Sequence, residues 1–146
     1  MLKKDVEYAH KWCYTNGIEI EEPPDGIVGF IYIITNIASG KRYIGKKNFY
    51  TVKTHIVKKK KKREKIESDW KEYWSSSDQV KLDVELLGKD NFTREIIHFC
   101  SSKAEMTYSE TKAIFVNDAL IRPNDFYNAW CMCRVRSLHL KHLWKE

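Results

Sequence analysis

GFIYIITNIASGKRYIG, residues 29–45, is the stretch that decides how this chain folds. Strand-forming residues lead into a turn that contains Asn, Ser and Gly and then return, which is the pattern of a β-hairpin. A loop centred on residues 37–38 would place Tyr32 opposite Tyr43, with their Cβ atoms roughly 5 Å apart on one face of the sheet. A glycine at each end of the stretch leaves room for another backbone to approach. The stretch therefore predicts two facing phenols in a polar cleft.

The two ends of this stretch resemble a known pair of motifs. Gly-Phe-Ile-Tyr at 29–32 and Tyr-Ile-Gly at 43–45 are similar to the two halves of the GIY-YIG motif, found in phage homing endonucleases, repair nucleases and some restriction enzymes. The first half has one residue more than the usual Gly-Ile-Tyr, whereas the spacing between the tyrosines is one that the family uses. The resemblance covers about 28–130. This resemblance implies a phage-encoded hydrolase. The expected activity is that of a metal-dependent endonuclease that cuts phosphodiester bonds in DNA.

The order of elements along the chain predicts an α+β fold. After the hairpin, a short helix is expected over 67–74, a second helix ends at Gly88, a third strand covers 92–100, and a further helix covers roughly 103–119. Hairpin, helices, strand and helix in this order are typical of a small, mostly antiparallel sheet with helices packed on it. The family resemblance makes this more specific, because it implies a three-stranded antiparallel sheet flanked by helices.

Composition and hydropathy indicate one folded domain. The chain has 146 residues, of which 42% are apolar, and is long enough to bury a core. We expect an N-terminal helix and acidic linker over 1–26, a nuclease-like domain over 27–130 and a helical tail over 131–146. No stretch approaches the ~18 apolar residues of a membrane span, and the first residues lack the apolar region of a secretory signal. A cytoplasmic protein is therefore expected, in the host cell if the gene is a phage gene.

The net charge of +6 is concentrated in one segment. Residues 53–65 (KTHIVKKKKKREK) carry eight Lys or Arg and one Glu, and the rest of the chain is nearly neutral. Such a run repels itself, so we expect a flexible or solvated arm. It would contact the phosphate backbone of DNA without reading sequence, unless it is merely a solvated loop or a localisation signal. The lysines expected to bind nucleic acid are Lys47, Lys58, Lys59, Lys60, Lys61 and Lys62.

One carboxylate is expected to hold a single divalent ion, Mg²⁺ or Mn²⁺. Two-metal nucleases need clustered carboxylates, which the predicted strand ends lack, whereas one ion needs a single well-placed carboxylate. Glu110 lies on the helix after the third strand, where similar nucleases carry their metal-binding Glu. The alternatives are an exposed helix Glu paired with Lys103 or Lys112, and Glu105 as the ligand instead.

The two tyrosines are the next candidates for catalysis. The resemblance implies that one of Tyr32 and Tyr43 helps to deprotonate the nucleophilic water. A free phenol has a pKa near 10 and is a poor base unless a nearby cation or metal-bound water assists it. Lys46 and Lys47 follow the second motif directly, and we prefer Lys46 for this role. The alternative for the tyrosines is ordinary cross-strand aromatic packing.

Similar nucleases also use an arginine and an asparagine. We prefer Arg63, at the start of the helix predicted after the basic segment, with Lys53 and His55 or Arg94 as alternatives. A lysine lacks the bidentate fork that an arginine offers to a phosphate. Asn128 resembles the Asn near the end of the family domain, which closes the site by hydrogen bonding. A turn Asn is the alternative.

Three further interpretations stay open. A catalytically degenerate nucleic-acid-binding protein would keep the hairpin and the basic segment without the chemistry. An interaction module would use the aromatic face of the 67–74 helix together with the terminal helix. Cys131 and Cys133 could hold zinc with His139 and His142, although their one-residue spacing departs from the usual two to four residues.

Overall fold

The computed structural model describes residues 10–145, which form a mixed four-stranded sheet, a separate two-stranded ribbon and several helices. The strands are β1 (Cys13–Tyr14), β2 (Gly29–Asn36), β3 (Arg42–Asn48), β4 (Tyr50–Val57), β5 (Lys60–Glu67) and β6 (Phe92–Cys100). The α-helices are α1 (Asp78–Leu87) and α2 (Lys103–Val116), and 3-10 helices cover Trp70–Glu72, Lys89–Asn91, Ala119–Ile121 and Ser137–Leu143. The expected α+β class is confirmed.

The main sheet has one strand more than expected. Its order is β1-β6-β2-β3, with β1 parallel to β6 and the other neighbours antiparallel. Most of the predicted N-terminal helix falls on residues 1–9, outside the described residues. The prediction is wrong for the last part of this helix, because Cys13 and Tyr14 pair with β6. Trp12 is buried, and its Nε1 donates to the Trp70 carbonyl at 2.6 Å. Burial of this indole holds the segment against the sheet.

The β2–β3 hairpin has a register two residues away from the predicted one. Its connection covers residues 37–41, and the Asn36 side-chain oxygen accepts two N–H groups of that loop, at 3.2 and 3.4 Å. The longer loop places Tyr32 opposite Gly45 and not opposite Tyr43. A shift of two residues preserves which face each side chain occupies. The two phenols therefore still share a face, with ring centroids 6.2 Å apart.

The sheet separates two apolar clusters. The aromatic cluster on one face includes Trp12, Phe30, Tyr32, Phe49 and Trp70. The aliphatic cluster on the other face includes Ile31, Ile44, Cys100, Met106 and Ile114. Successive residues of β2 alternate between them, as side chains do along a strand. The aliphatic cluster is covered by α2, whereas Val80 and Val84 of α1 contribute to the aromatic one.

The basic segment forms a regular β-ribbon. β4 and β5 pair antiparallel at every position from Tyr50 opposite Glu67 to Val57 opposite Lys60. The ribbon is solvated, as expected for this segment. Its backbone is nevertheless regular, because side chains alternate along a strand and neighbouring lysines therefore lie on opposite faces. Arg63 lies in β5, so the helix predicted to begin there is wrong. The predicted 67–74 helix is reduced to the 3-10 turn Trp70–Glu72.

The tip of the ribbon is a two-residue turn with lysines in a conformation that favours glycine. Lys58 and Lys59 have φ of +51° and +62°, as a type I′ turn requires, and each such non-glycine residue costs about 1–2 kcal/mol. We expect the double substitution Lys58→Asn and Lys59→Gly to raise the amide-exchange protection of β4 and β5 by roughly tenfold, since Asn-Gly suits this turn. Hydrogen-exchange mass spectrometry measures this protection. Unchanged or lower protection would show that the turn is not strained.

The tail after residue 130 lies partly along α2. Ser137–Leu143 forms a 3-10 helix, and Leu140, Leu143 and Trp144 line a cavity of about 1120 Å³ beside α2. Cys131 packs against the aliphatic cluster, whereas Cys133 is exposed. Across residues 10–145, none of the helices is both long enough and apolar enough to span a bilayer.

Candidate active site

Tyr32 lies inside the aromatic cluster with an unpartnered hydroxyl. Its side chain is 0% exposed, and its ring centroid is 5.2 Å from Trp12 and 6.0 Å from Tyr73. A Cβ added to Gly45 would lie 2.5 Å from Tyr32 Cζ, so the ring occupies the space that this glycine leaves. Burial, with the nearby phenols adding to it, raises the pKa of Tyr32 well above 10. The hydroxyl finds no hydrogen-bond partner among the described residues.

Tyr43 is the more accessible phenol of the pair. It is half-buried, and its hydroxyl lies 3.3 Å from Ser76 Oγ. Burial raises the pKa of Tyr43, the Ser76 hydrogen bond opposes that rise, and the nearby Glu110 carboxylate adds to it. Both phenols are therefore protonated at neutral pH, and neither acts as a base without assistance.

The outer edge of β3 brings two predicted site residues together. Residues 125–127 pair with its first part. Further along, the Asn128 amide accepts from Ile44 N at 3.0 Å and donates to Ile44 O at 2.8 Å. The next outward N–H, that of Lys46, acts on the Glu110 carboxylate and opposes the rise in pKa that burial causes there. An edge strand leaves such groups unpaired. Asn128 bonds the backbone of Ile44, and Glu110 lies near that of Lys46.

Glu110 reaches this edge from α2 and is coupled to both tyrosines. Its carboxylate is half-buried, and this burial raises its pKa, while the charge and N–H of Lys46 oppose the rise. The same carboxylate raises the pKa of Tyr32 and of Tyr43, which places its charge near both phenols. Lys46 Nζ donates to Thr107 Oγ1 at 3.1 Å. A carboxylate with a raised pKa beside a cation and two phenols is typical of a functional site.

The geometry agrees with a comparison of the chain with protein families. The family model described as "Putative endonuclease segE, GIY-YIG domain" matches residues 12–131. The chain belongs to the GIY-YIG nuclease family. A search of the curated proteins and a search of the solved structures each found no match. The family match begins at Trp12, upstream of the two motifs, and the Trp12 indole packs on Tyr32.

Glu105, the alternative metal ligand, serves as a helix cap in this GIY-YIG domain. Its carboxylate accepts from Ser101 N at 2.8 Å and from Ser101 Oγ at 3.0 Å, and it bonds His98 Nε2 at 2.9 Å. Burial alone would raise the pKa of Glu105, but these hydrogen bonds outweigh it and lower the pKa. Acceptors of this kind stabilise the start of a helix, here that of α2.

His98, Cys100 and Glu105 form a second group that could hold a metal ion. One ligand atom from each lies within 4.8 Å of the others. Cys100 belongs to the aliphatic cluster, on the face of the sheet away from the tyrosines, and burial raises the pKa of its thiol to about 12. Both Glu105 oxygens are already bonded and the thiol resists ionisation, which disfavours a metal ion at this group.

The predicted arginine is not brought to the tyrosines within the described part of the chain. Arg63 lies exposed in the ribbon opposite Thr54, and Lys53 and His55 lie on the paired strand. Their predicted place near the phenols depended on a helix that the structure replaces with strands.

Arg94 is buried as a structural cation. Its guanidinium carbon lies 4.5 Å from the ring of Trp12 and 4.3 Å from that of Trp74. Its nitrogens donate to the Tyr73 carbonyl at 2.8 Å and to the His10 carbonyl. Burial lowers its pKa to about 10. Cation–π contacts and carbonyl bonds of this kind hold the aromatic layer together.

Three residues near the site were missed by sequence reasoning. Tyr73 packs on Tyr32, Ser76 bonds Tyr43, and Thr107 accepts from Lys46. Tyr73 and Ser76 belong to the run YWSSS at 73–77, which in the sequence resembles the end of a helix and the loop that follows it. Lys47, expected to be free for DNA, has Nζ 2.6 Å from Asp69 and 4.0 Å from the centroid of the Tyr73 ring.

Proposed function

We propose that this GIY-YIG domain is a DNA endonuclease that hydrolyses phosphodiester bonds with one divalent ion, Mg²⁺ or Mn²⁺. The observation that carries the proposal is that the rings of Tyr32 and Tyr43 share a face of the sheet with centroids 6.2 Å apart, while the Glu110 carboxylate raises the pKa of both phenols. Membership of the family supports endonuclease activity on DNA. A single carboxylate coupled to both phenols supports chemistry with one ion rather than two.

The residues at this edge fit a divalent cation. Mg²⁺ and Mn²⁺ prefer oxygen ligands and keep several waters, and Glu110 supplies a half-buried carboxylate. The unpartnered Tyr32 hydroxyl also fits, because a buried polar group without a protein partner indicates a missing water or ion. Glu110 would hold the ion, which when bound makes its water more acidic and stabilises charge on the phosphate.

The protein groups around the ion have separate roles in this proposal. Tyr43, a neutral phenol with an accessible hydroxyl, orients the attacking water by hydrogen bonding. Tyr32 packs behind it and completes the polar network. Lys46 places a positive charge beside the phosphate oxygens as negative charge develops on them. Asn128 fixes the edge of β3 and so keeps these groups in register.

The ribbon supplies the attraction for DNA. Lys58, Lys59, Lys60, Lys61 and Lys62 are exposed along it or at its tip, where they release counterions from a phosphate backbone. Arg63 acts with them in binding DNA in this proposal and not on the reacting phosphate. Lys47 contributes less, because Asp69 already offsets its charge.

The positions of the arginines favour one alternative, a catalytically degenerate nucleic-acid-binding protein. Arg63 lies in the ribbon and Arg94 is enclosed by two tryptophans. A nuclease that needs a guanidinium fork on the reacting phosphate would have to obtain it by a rearrangement on binding DNA. A protein that binds DNA without cutting it needs no such change.

Supercoiled plasmid distinguishes the two functions. We expect nicked or linear DNA with Mg²⁺ or Mn²⁺, no product with EDTA, and almost no product from Glu110→Gln protein purified in parallel. Salt-sensitive DNA binding without cleavage, across a series of divalent ions, would establish the degenerate binder and exclude the endonuclease.

Removing the two hydroxyl groups separately is expected to have different effects. Tyr43→Phe should lower the nicking rate by about 100-fold, the usual scale for a positioned proton-transfer or hydrogen-bonding group. Its stability should stay within about 0.5 kcal/mol of wild type, because this hydroxyl is accessible. Tyr32→Phe should raise the free energy of unfolding by about 1 kcal/mol, since it removes a buried unpaired hydroxyl. Rates come from plasmid nicking and stabilities from urea unfolding.

Tyr73→Phe is the matched control, because it removes a third hydroxyl from the same aromatic layer. It should change the nicking rate by less than tenfold. A Tyr43→Phe enzyme that nicks as fast as wild type would remove Tyr43 from the proposed mechanism.

A further inference from the structure

The β4–β5 ribbon has two different faces. Residues directly opposite each other in an antiparallel pair share a face, and the next pair points the other way. We call one face the arginine face, and it carries Val52, Thr54, Ile56, Lys61, Arg63 and Lys65. The other is the glutamate face, with Lys53, His55, Val57, Lys60, Lys62 and Glu64.

The arginine face combines a basic row with an uncovered row of β-branched side chains. Three of its four pairs carry one positive charge each and no carboxylate, and the fourth, Tyr50 opposite Glu67, lies at the root of the ribbon, where Glu67 accepts from Trp70 Nε1. On the glutamate face, by contrast, Glu64 lies opposite Lys53 in the middle. Val52 is 48% exposed and Ile56 is 72% exposed. Exposed apolar groups aligned beside cations indicate a surface that meets a negatively charged partner with apolar patches of its own.

The tip of the ribbon keeps lysines where the turn itself favours other residues. Lys58 and Lys59 occupy left-handed conformations that asparagine and glycine adopt more easily. Residues held in an unfavourable conformation often serve a function that the favourable residue would not. Here the lysines add two charges at the tip of the ribbon.

The root of the ribbon is joined firmly to the layer that contains Tyr32. Glu67 accepts from Trp70 Nε1 at 2.7 Å, and Ser68 N donates to the Phe49 carbonyl at 2.8 Å. Lys65 Nζ lies 4.2 Å from the centroid of the Tyr50 ring. Because Phe49 and Trp70 belong to the aromatic cluster, the ribbon has a defined position relative to the candidate active site.

The dimensions of the ribbon suit the major groove of DNA. Eight residues per strand give a length of roughly 26 Å at about 3.3 Å per residue. A major groove about 12 Å wide admits a two-stranded ribbon. In that groove an arginine reads guanine O6 and N7, and β-branched methyl groups contact the thymine methyl. The arginine face offers both kinds of group.

We propose that the ribbon enters the major groove with its arginine face toward the base edges, so that it is the element through which the protein prefers some sequences. This inference rests on the proposed function in one respect, that duplex DNA is the substrate. It replaces the expectation that the basic segment contacts only phosphates.

Methylation interference tests the groove and the face together. Dimethyl sulfate modifies guanine N7 in the major groove and adenine N3 in the minor groove, so one experiment reports on both grooves. The DNA is a pool of random 30-base-pair duplexes enriched by binding to the Glu110→Gln protein, which removes cleavage from the measurement. We expect methylated guanines to block binding at defined positions and methylated adenines to have little effect.

Two triple variants form a matched pair, since each removes three positive charges. One is Lys61→Gln, Arg63→Gln and Lys65→Gln, and the other is Lys53→Gln, Lys60→Gln and Lys62→Gln. Neither triple should reduce the slope of log affinity against log salt by more than about 3, at about 0.9 per phosphate contact. The arginine-face triple should lose guanine interference, whereas the glutamate-face triple should keep it. Equal loss in both triples, or interference at adenine alone, would overturn the inference.

Arg63→Lys provides a variant that keeps the charge and the fold. It should retain the salt slope and lose interference at one guanine position, because lysine lacks the bidentate fork. Plasmid cleavage by the wild-type protein is measured separately. Guanine interference without cleavage would refute the endonuclease and leave the ribbon inference standing, and cleavage without guanine interference would do the reverse.

Discussion

Replacing Glu110 by glutamine is expected to reduce the rate of plasmid nicking by about 100-fold or more while the protein stays folded. Glutamine has nearly the same size and keeps an oxygen that can accept a hydrogen bond. It lacks the negative charge that holds a divalent ion, and losing an electrostatic group of this kind costs about 10²–10³ in rate. A nicking assay in Mg²⁺ measures the loss.

The stability of the same variant adds an independent test. Burial raises the pKa of Glu110, so the folded state binds a proton at this site more tightly than the unfolded state does. Between the ordinary carboxyl pKa and the raised one, the wild-type protein therefore loses stability as the pH rises. Without metal at pH 7, Glu110→Gln should unfold at the same temperature as wild type or higher. A lower melting temperature would show that Glu110 is structural.

Glu105→Gln is the matched control, five residues earlier on α2, and should behave in the opposite way. Hydrogen bonds from Ser101 and His98 outweigh burial and lower the pKa of Glu105. Its contribution to stability is thus present above the ordinary carboxyl pKa and is lost as the pH falls through the lowered value. We expect a loss of about 1–3 kcal/mol at pH 7 with nicking retained.

A reversed result for Glu110→Gln and Glu105→Gln would assign the metal ion to the other group of possible ligands. If folded Glu105→Gln protein lost nicking and Glu110→Gln protein kept it, the ion would lie with His98 and Cys100, on the other face of the sheet. The first pair of variants therefore decides between the two groups of possible ligands.

Local sequence patterns predicted the hairpin, the third strand and the start of the last helix. Alternation and turn residues are local signals, so β2, β3 and β6 were accessible from the sequence. The register of the hairpin could not be predicted from the sequence, because it depends on how Asn36 and the loop 37–41 close the turn. The two-residue strand β1 could not be predicted from the sequence either, because its pairing arises from burial of Trp12 and the strand has no periodicity of its own.

The ribbon shows why charge alone is a poor guide to backbone structure. Repulsion between lysines argues against compact packing, yet a two-stranded ribbon needs no compact packing of those side chains. Its backbone hydrogen bonds do not depend on side-chain charge, and its tip lacks the glycine that usually signals a tight hairpin. The prediction of Arg63 as a catalytic residue depended on a helix in this segment, and the structure has a strand there instead.

The candidate site residues that lie on a single strand or on one helix face could be predicted from the sequence. Tyr32, Tyr43 and Glu110 follow from motif spacing and element order, and the structure brings them together. The contributions of Tyr73 and Ser76 depend on a turn that folds back on the sheet, which local patterns do not report. The surroundings of Arg94 come from two tryptophans far apart in the sequence, and its burial is a property of tertiary packing alone.

Arg94→Ala is expected to lower the free energy of unfolding by about 3 kcal/mol, the largest stability effect predicted for this protein. The substitution removes two cation–π contacts, at about 0.5–2 kcal/mol each, and leaves the partly buried Tyr73 and His10 carbonyls without this donor. Relief of burying a charge offsets part of this loss, since burial already disfavours the cation. The melting temperature should fall by roughly 10 °C.

Arg63→Ala is the matched control, because it removes the same side chain from an exposed strand. Its stability should stay within about 0.5 kcal/mol of wild type, while its DNA affinity falls. Nicking rates are compared well below both melting temperatures, at saturating DNA, so that every variant is folded and bound. If Arg94 is structural, the folded Arg94→Ala protein cuts at a rate within tenfold of wild type. A 100-fold loss in folded, DNA-bound Arg94→Ala protein would instead mean that Arg94 leaves its tryptophans on binding DNA and supplies the missing guanidinium.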